Sequence, residues 1–445
     1  MNRTMWKQLE MVMGMQMIAN RPASHRHVLL VVIVLFGVAI GCRRDTATVE
    51  KPAEDSAASQ SDAEPTVYAP QAYEATADEL LAACLTPEEA SEGWIRLFDG
   101  HTLFGWDIAG NANWRIEDGT LVADQGEVSL LCTSIPWADY ELSVQFKATP
   151  TTNSGVFLRT PLEVDDPGSD CYEVNIAPDD NPFPTASVVQ RQKVDVQQKF
   201  DTWRTMNMVL RGDQLTVRLD GEVVCEYTDP EPLAAGRIGL QKNSGRIEFR
   251  DVKLRPLGLE SMLGEGLDGW KTYPEMSGEF KRTDEGGLRV KGGKTQLETE
   301  KRFADFNLLA EYQMDEPTSN SGIFFRCIPG DELMGYECQV SNEIIDGNPL
   351  KPADCGVGGI FRRQDARIVA GKPKQKNVIL LTTRGPRIAA WVNGLQVSDV
   401  TDDRDPDENP RRGLRLDPGT IMIQGHDETT DATYSQLKIK SLDTP

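Results

Sequence analysis

Histidine is scarce in this chain, so each one is informative: His25, His27, His101 and His426 are all there are in 445 residues. An imidazole is the side chain best suited to moving a proton near neutral pH. His426, in Gln424-Gly425-His426-Asp427, is therefore the first candidate for acid–base chemistry. Four histidines without an HExxH exclude a His-rich zinc centre, and no GxSxG elbow supports a serine nucleophile. The carboxylates of interest lie in two similar runs, Tyr172-Glu173-Val174-Asn175 and Tyr336-Glu337-Cys338-Gln339. Side chains two apart on a strand share a face, which puts Glu337 beside Gln339 and Glu173 beside Asn175. The same period places Gly322, Phe324 and Arg326 together, and likewise Gly155, Phe157 and Arg159. A polar pair with an arginine on one face could hold a polar ligand and move a proton; it equally describes the wet side of an amphipathic strand.

These residues recur because the chain repeats itself. Asn153-Ser154-Gly155-Val156-Phe157-Leu158-Arg159 returns as Asn320-Ser321-Gly322-Ile323-Phe324-Phe325-Arg326. Gly105-Trp106 returns as Gly269-Trp270, and Val217-Arg218-Leu219-Asp220-Gly221 as Ala390-Trp391-Val392-Asn393-Gly394, in the same order. The period is that of a duplicated domain, with copy one at 93–257, copy two at 258–445 and the insertions mainly in copy two. Each copy reads as strands. Tyr140 to Phe146 alternates apolar and polar, and Asp220-Gly221 and Asn393-Gly394 are hairpin turns that want positive φ. Short strands, Gly and Asn turns and little helical periodicity imply an all-β fold, a sandwich or jelly roll.

The net charge of −22 argues against nucleic acid, whose affinity comes from Lys and Arg on phosphate. Val28 to Ile40 carries no charge, follows Arg21, Arg26 and His27, and ends at Gly41-Cys42. That is the layout of a signal peptide over 1–41, too short for a usual membrane span. Cys42 after Gly41 resembles a lipobox, which implies acylation of Cys42, a membrane partner through that lipid, and export to the cell envelope, on the periplasmic side or at the outer membrane; plain secretory cleavage is the other reading. The segment 42–92 is acidic and reads as a tether, with short helices from Ala75 to Ala83 and at Thr86-Pro87-Glu88-Glu89. Export would make Cys84, Cys132, Cys171, Cys225, Cys327, Cys338 and Cys355 candidates for disulfides, an odd number whose pairing the sequence does not give.

Leu97-Phe98-Asp99-Gly100 before Trp106, Trp114-Arg115-Ile116-Glu117-Asp118-Gly119, the two Asn-Ser-Gly strands, the Tyr-Glu pairs and Gly239-Leu240-Gln241 together resemble the 3-keto-disaccharide hydrolase domain family. The resemblance covers about 93 to 444. It implies tandem concanavalin A-like jelly rolls, common in bacterial envelopes, and cleavage of glycosides already oxidised at carbon 3. Copy two lacks Leu-Phe-Asp-Gly; Met262 to Leu267 stands near its place, and its first strand is unassigned. Family members often carry Asp-His-Gly after Leu-Gln. Copy one has Lys242-Asn243-Ser244 there and copy two keeps His426.

The expected working site is therefore in copy two, with Glu337 and His426 as acid and base and Arg326 or Arg363 facing the developing anion. Asn320, Gln339 and Gln424 are expected to bind sugar, with Glu173, Asn175 and Arg159 as their counterparts in copy one. Asn320 could instead simply shape its turn, and Trp391 is either a stacking platform or core. Asp402 to Glu408 holds enough carboxylates for Ca²⁺ without EF-hand spacing, and a solvated loop is the alternative. The rival to an enzyme is a carbohydrate-binding lectin, and a third class is an envelope interaction module.

Overall fold

The computed structural model describes residues 66–442 apart from Pro70 and Pro317. The apolar segment, Cys42 and the start of the acidic stretch lie outside the described residues. Two short helices come first, α1 (Ala77–Ala82) and α2 (Pro87–Ser91). Each begins with a Thr whose hydroxyl accepts from the backbone N–H three residues on, while that residue's Glu reaches back to the cap, Thr76 with Glu79 and Thr86 with Glu89.

The remainder is two tandem jelly-roll sandwiches, each an eight-stranded sheet against a five-stranded one. In copy one the five-stranded sheet contains β1 (Trp106–Ala112), β2 (Gly126–Thr133), β3 (Ser154–Thr160), β4 (Tyr172–Ile176) and β5 (Arg237–Lys242). In copy two it contains β6 (Trp270–Lys271), β7 (Thr295–Thr299), β8 (Ser321–Cys327), β9 (Tyr336–Val340) and β10 (Thr420–Gly425). The spatial orders, β1-β2-β5-β3-β4 and β6-β7-β10-β8-β9, are the same topology. The unassigned first strand of copy two is Glu260–Ser261. It pairs with Asp431–Ser441 as Ile95–Arg96 pairs with Ile247–Pro256 in copy one.

Burial explains the strand patterns. Ile323, Phe325, Tyr336, Cys338, Val340, Ile421 and Ile423 fill the core of copy two, so the residues alternating with them face outward from the five-stranded sheet. The two hairpin turns are formed with φ of 53° and 91° at Asp220 and Gly221 and 50° and 80° at Asn393 and Gly394, the left-handed pair that suits a right-twisting hairpin.

The copies are fused by a continuous apolar seam. Leu309, Val378, Leu380, Ala389 and Trp391 of copy two belong to the same buried cluster as the core of copy one. Trp391 packs on Trp137 at 5.8 Å between ring centroids and donates its indole N–H to the Arg96 carbonyl. It is 2% exposed, on the eight-stranded sheet. Trp391 is therefore core, and the stacking-platform reading is wrong for it. Asp99, from Leu-Phe-Asp-Gly, caps its own turn and binds Arg367 of copy two at 2.9 Å.

Candidate functional site

The outer face of the copy-two sheet is assembled by register. Glu337 on β9 stands opposite Phe324 on β8, which pairs with Met422 on β10, which pairs with Glu298 on β7. One step along, Gln339 stands opposite Gly322, and Gln424 opposite Gln296. Seven outward side chains and Gly322, on four strands, thus form two rows, and the pairs Glu337 with Gln339 and Gln424 with Gln296 share one surface. Gly322 brings no side chain to the middle of that surface, and the Phe324 ring leans over it, 2.9 Å from where a Cβ would lie. A Cβ there would lie 3.0 Å from a Glu337 oxygen and 3.2 Å from Gln424 Oε1, so the two polar ends converge over the missing side chain.

Glu337 is 7% exposed. Burial pushes its carboxyl up to about 7, against the pull of the Arg411 guanidinium and of His426. Arg411 lies 3.4 Å from a Glu337 oxygen and stacks its cation over the rings of Phe324 and Phe361. A carboxyl poised near neutrality can take or give a proton at little cost. Gln339 is held by Asn320, whose side-chain oxygen accepts its amide at 2.7 Å. Asn320 is thus a positioning residue within this constellation. Gln424 Oε1 is buried and has no protein donor.

His426 sits just beyond β10 on the rim, its side chain 45% exposed, with Nδ1 2.8 Å from Asp427 Oδ2. A carboxylate only accepts, so Nδ1 carries the hydrogen and Nε2 is left to exchange a proton with a ligand. The Thr429 hydroxyl and His426 hold Asp427 below the usual carboxylate range.

The structure overturns the role expected for Arg326. Register slips between Phe324 and Cys327, and Arg326 takes a left-handed φ of 48°. This bulge turns its guanidinium off the outer face. It is fully buried and donates to the carbonyls of Ala304, Arg415 and Gly385 and to Asp305. Arg159 repeats the arrangement with a φ of 50°, bonding the carbonyls of Ala138, Gly212 and Leu233 and pairing with Asp139. Both arginines staple loops. Arg363 donates to the carbonyls of Arg362, Pro410 and Arg411, so it braces the loop that carries Arg411 and acts on Glu337 only through it.

Arg411, Gln296, Glu298 and Phe361 escaped the sequence reading. Glu298 is buried, accepts from Thr420, Tyr273 and the Gly330 N–H, and has Lys271 at 3.8 Å. Gln296 bonds the backbone of Leu333 and Asp331. Both tie the loop after β8 to the sheet. The signal for Arg411 was the extra length of copy two before β10, which supplies its loop.

The copy-one face keeps the plan with a different lining. Leu130 replaces Gln296, Cys132 replaces Glu298 and Gly239 replaces Met422 at matching register. Burial alone pushes Glu173 up to about 7. Asn175 turns its amide to the Phe183 carbonyl.

The acidic loop does not present a calcium cage. Arg404 grips both oxygens of Asp402, whose Oδ2 also accepts from Tyr336, and Asp407 is bound by Arg412. Among the described residues no group of three or more His, Cys, Asp or Glu could hold a metal ion. The seven cysteines among the described residues form no disulfide with one another.

The profile of the 3-keto-alpha-glucoside-1,2-lyase-like domain matches residues 93–255 and 258–440. The comparison with curated proteins returned no match. Two solved structures of inferred glycosyl hydrolases from Parabacteroides distasonis are 18% and 25% identical. They cover 39% and 37% of this chain and 98% and 99% of their own, with TM-scores of 0.35 and 0.32. A carbohydrate-binding module from Bacillus subtilis is 17% identical over 34% of this chain and 95% of its own, with a TM-score of 0.27. None of these TM-scores reaches 0.5, and no functional weight rests on them. With both jelly rolls matched over nearly their whole length, the chain belongs to the 3-keto-alpha-glucoside-1,2-lyase-like domain family, a carbohydrate-active family, as two tandem copies of its domain.

Proposed function

We propose that copy two cleaves glycosides whose sugar is oxidised at carbon 3. The observation that carries this reading is a buried carboxyl near neutrality, Glu337, with a cation, Arg411, 3.4 Å away and a histidine on the rim. A 3-keto group acidifies the hydrogen on carbon 2. The Glu337 carboxylate removes that proton, and Arg411 stabilises the enolate oxygen. The electron pair then forms the C1–C2 double bond as the C1–O bond breaks, and the aglycone oxygen takes a proton from His426 Nε2. Water then adds across the double bond: its hydroxyl goes to carbon 1 and its proton to His426 Nε2, while Glu337 returns the hydrogen to carbon 2, which restores both groups and leaves a free 3-keto sugar. Gln424 and Gln339, the latter positioned by Asn320, hold the ring. An ordinary glycosidase would need a second catalytic carboxylate across the bond; Glu298 on the same face is already committed to Thr420, Tyr273 and the Gly330 N–H.

The test is aglycone release by the soluble fragment from Gly93 onward, from 3-keto-glucosides and from their unoxidised parents. Release from the keto form alone is expected. Release from both, or from neither with binding to the same sugars intact, would replace this reading with an ordinary glycosidase or a lectin. We also propose that the protein is held at the cell envelope by a lipid on Cys42, a reading supported by the apolar run that ends there. Cys42→Ser would then move it from the membrane to the soluble fraction.

A further inference from the structure

The copy-one face carries a groove of about 270 Å³ that the proposed reaction does not use. Leu130 and Phe157 form its floor, and Leu162 and Val164 its lip, from the loop after β3. The face is less polar than its counterpart: Leu130 and Cys132 stand where copy two has Gln296 and Glu298, and Asn243 stands where copy two has His426, while Glu173 and Gln241 remain. Among the groove's lining residues one fully buried polar side-chain atom has no partner. Gln241 is 6% exposed, lines the groove, and its Oε1 accepts no hydrogen bond from the protein. The Ser129 hydroxyl nearby is already committed to the Ala109 carbonyl and the Trp114 indole.

Such a lining selects its ligand. A sugar brings many hydroxyls, and each one buried without a partner costs free energy. A planar apolar ring with a single hydroxyl satisfies the groove fully, its face on Phe157 and Leu130 and its O–H donated to Gln241 Oε1. An apolar cavity of roughly 150 Å³ already holds benzene, so one substituted ring fits here. Glu163 on the lip disfavours an anion. We propose that copy one binds an uncharged aromatic alcohol of the kind released as a phenolic aglycone. The source of that ligand, though not the groove itself, rests on the reaction proposed for copy two.

The probe is 4-methylphenol, titrated calorimetrically into the whole soluble protein at pH 7, with 4-methylanisole and methyl α-D-glucoside as comparisons. Saturable binding of the phenol to one site is expected, with the anisole about tenfold weaker because Gln241 loses its donor. Leu162→Asp should weaken phenol binding at least tenfold, and Val164→Asp serves if that variant does not reach the wild-type melting temperature. Glu337→Gln should leave phenol binding intact. Absence of saturable binding overturns the proposal. So does binding that survives both lip variants, is lost with Glu337→Gln, or is displaced by the methyl glucoside. Phenol binding is read without turnover, so its failure is distinct from a failure to cleave keto-glycosides.

Discussion

At the residue scale the central group is a carboxyl displaced upward by burial. Glu337 ionises near 7 in the folded protein, so as a base it is half active there and kcat/KM should rise with pH through that region. Arg411 favours the ionised form. Arg411→Ala should therefore move the rising limb to higher pH and lower kcat by roughly 10²- to 10³-fold, as expected for a lost anion donor. An unshifted limb in the pH profile would separate Arg411 from Glu337. Glu173 tests the same physics without catalysis. Its folded value of about 7 lies above the ordinary 4.5, so the native state holds a proton that the unfolded state has released. Stability accordingly falls as pH rises from 4.5 to 7 and stays reduced above that. Glu173→Gln should stabilise the fold by about 1–3 kcal/mol at pH 8 and by little at pH 4, checked by urea denaturation at both.

At the element scale the informative feature is the bulge shared by β3 and β8. Strict alternation places Arg326 beside Glu337, and that expectation failed because one residue in left-handed φ turns the side chain away. No pattern of apolar and polar residues encodes such a slip. Arg326→Ala should cost about 3–5 kcal/mol, because it removes a fully buried guanidinium that donates to three carbonyls and pairs with Asp305. A thermal melt checks this; an unchanged melting temperature with lost kcat would return Arg326 to the chemistry. Alternation elsewhere was reliable. Glu337 with Gln339 and the Asp-Gly and Asn-Gly turns were all legible, since each depends on residues adjacent in sequence. Arg411 was not, because it reaches the site across a loop whose course depends on Arg363 and Arg404.

At the scale of the whole molecule, duplication was legible and the seam between copies was not. Asn377–Arg384 is buried throughout, whereas its counterpart Arg204–Arg211 alternates buried with partly exposed. The continuous run Val378-Ile379-Leu380-Leu381 was the available signal that this strand is covered on both faces. The copies have diverged over one plan. One face keeps Glu337, Gln339, Gln424 and Arg411 together, and the other is apolar around Gln241. We place the proposed chemistry on the first face alone. The most direct test is kcat/KM on a 3-keto-glucoside for Glu337→Gln, with the melting temperature measured alongside. Loss of at least about 100-fold in a variant that melts like the wild type is the predicted result. Activity within a few-fold of wild type, or its abolition by Glu173→Gln instead, would move the chemistry off Glu337.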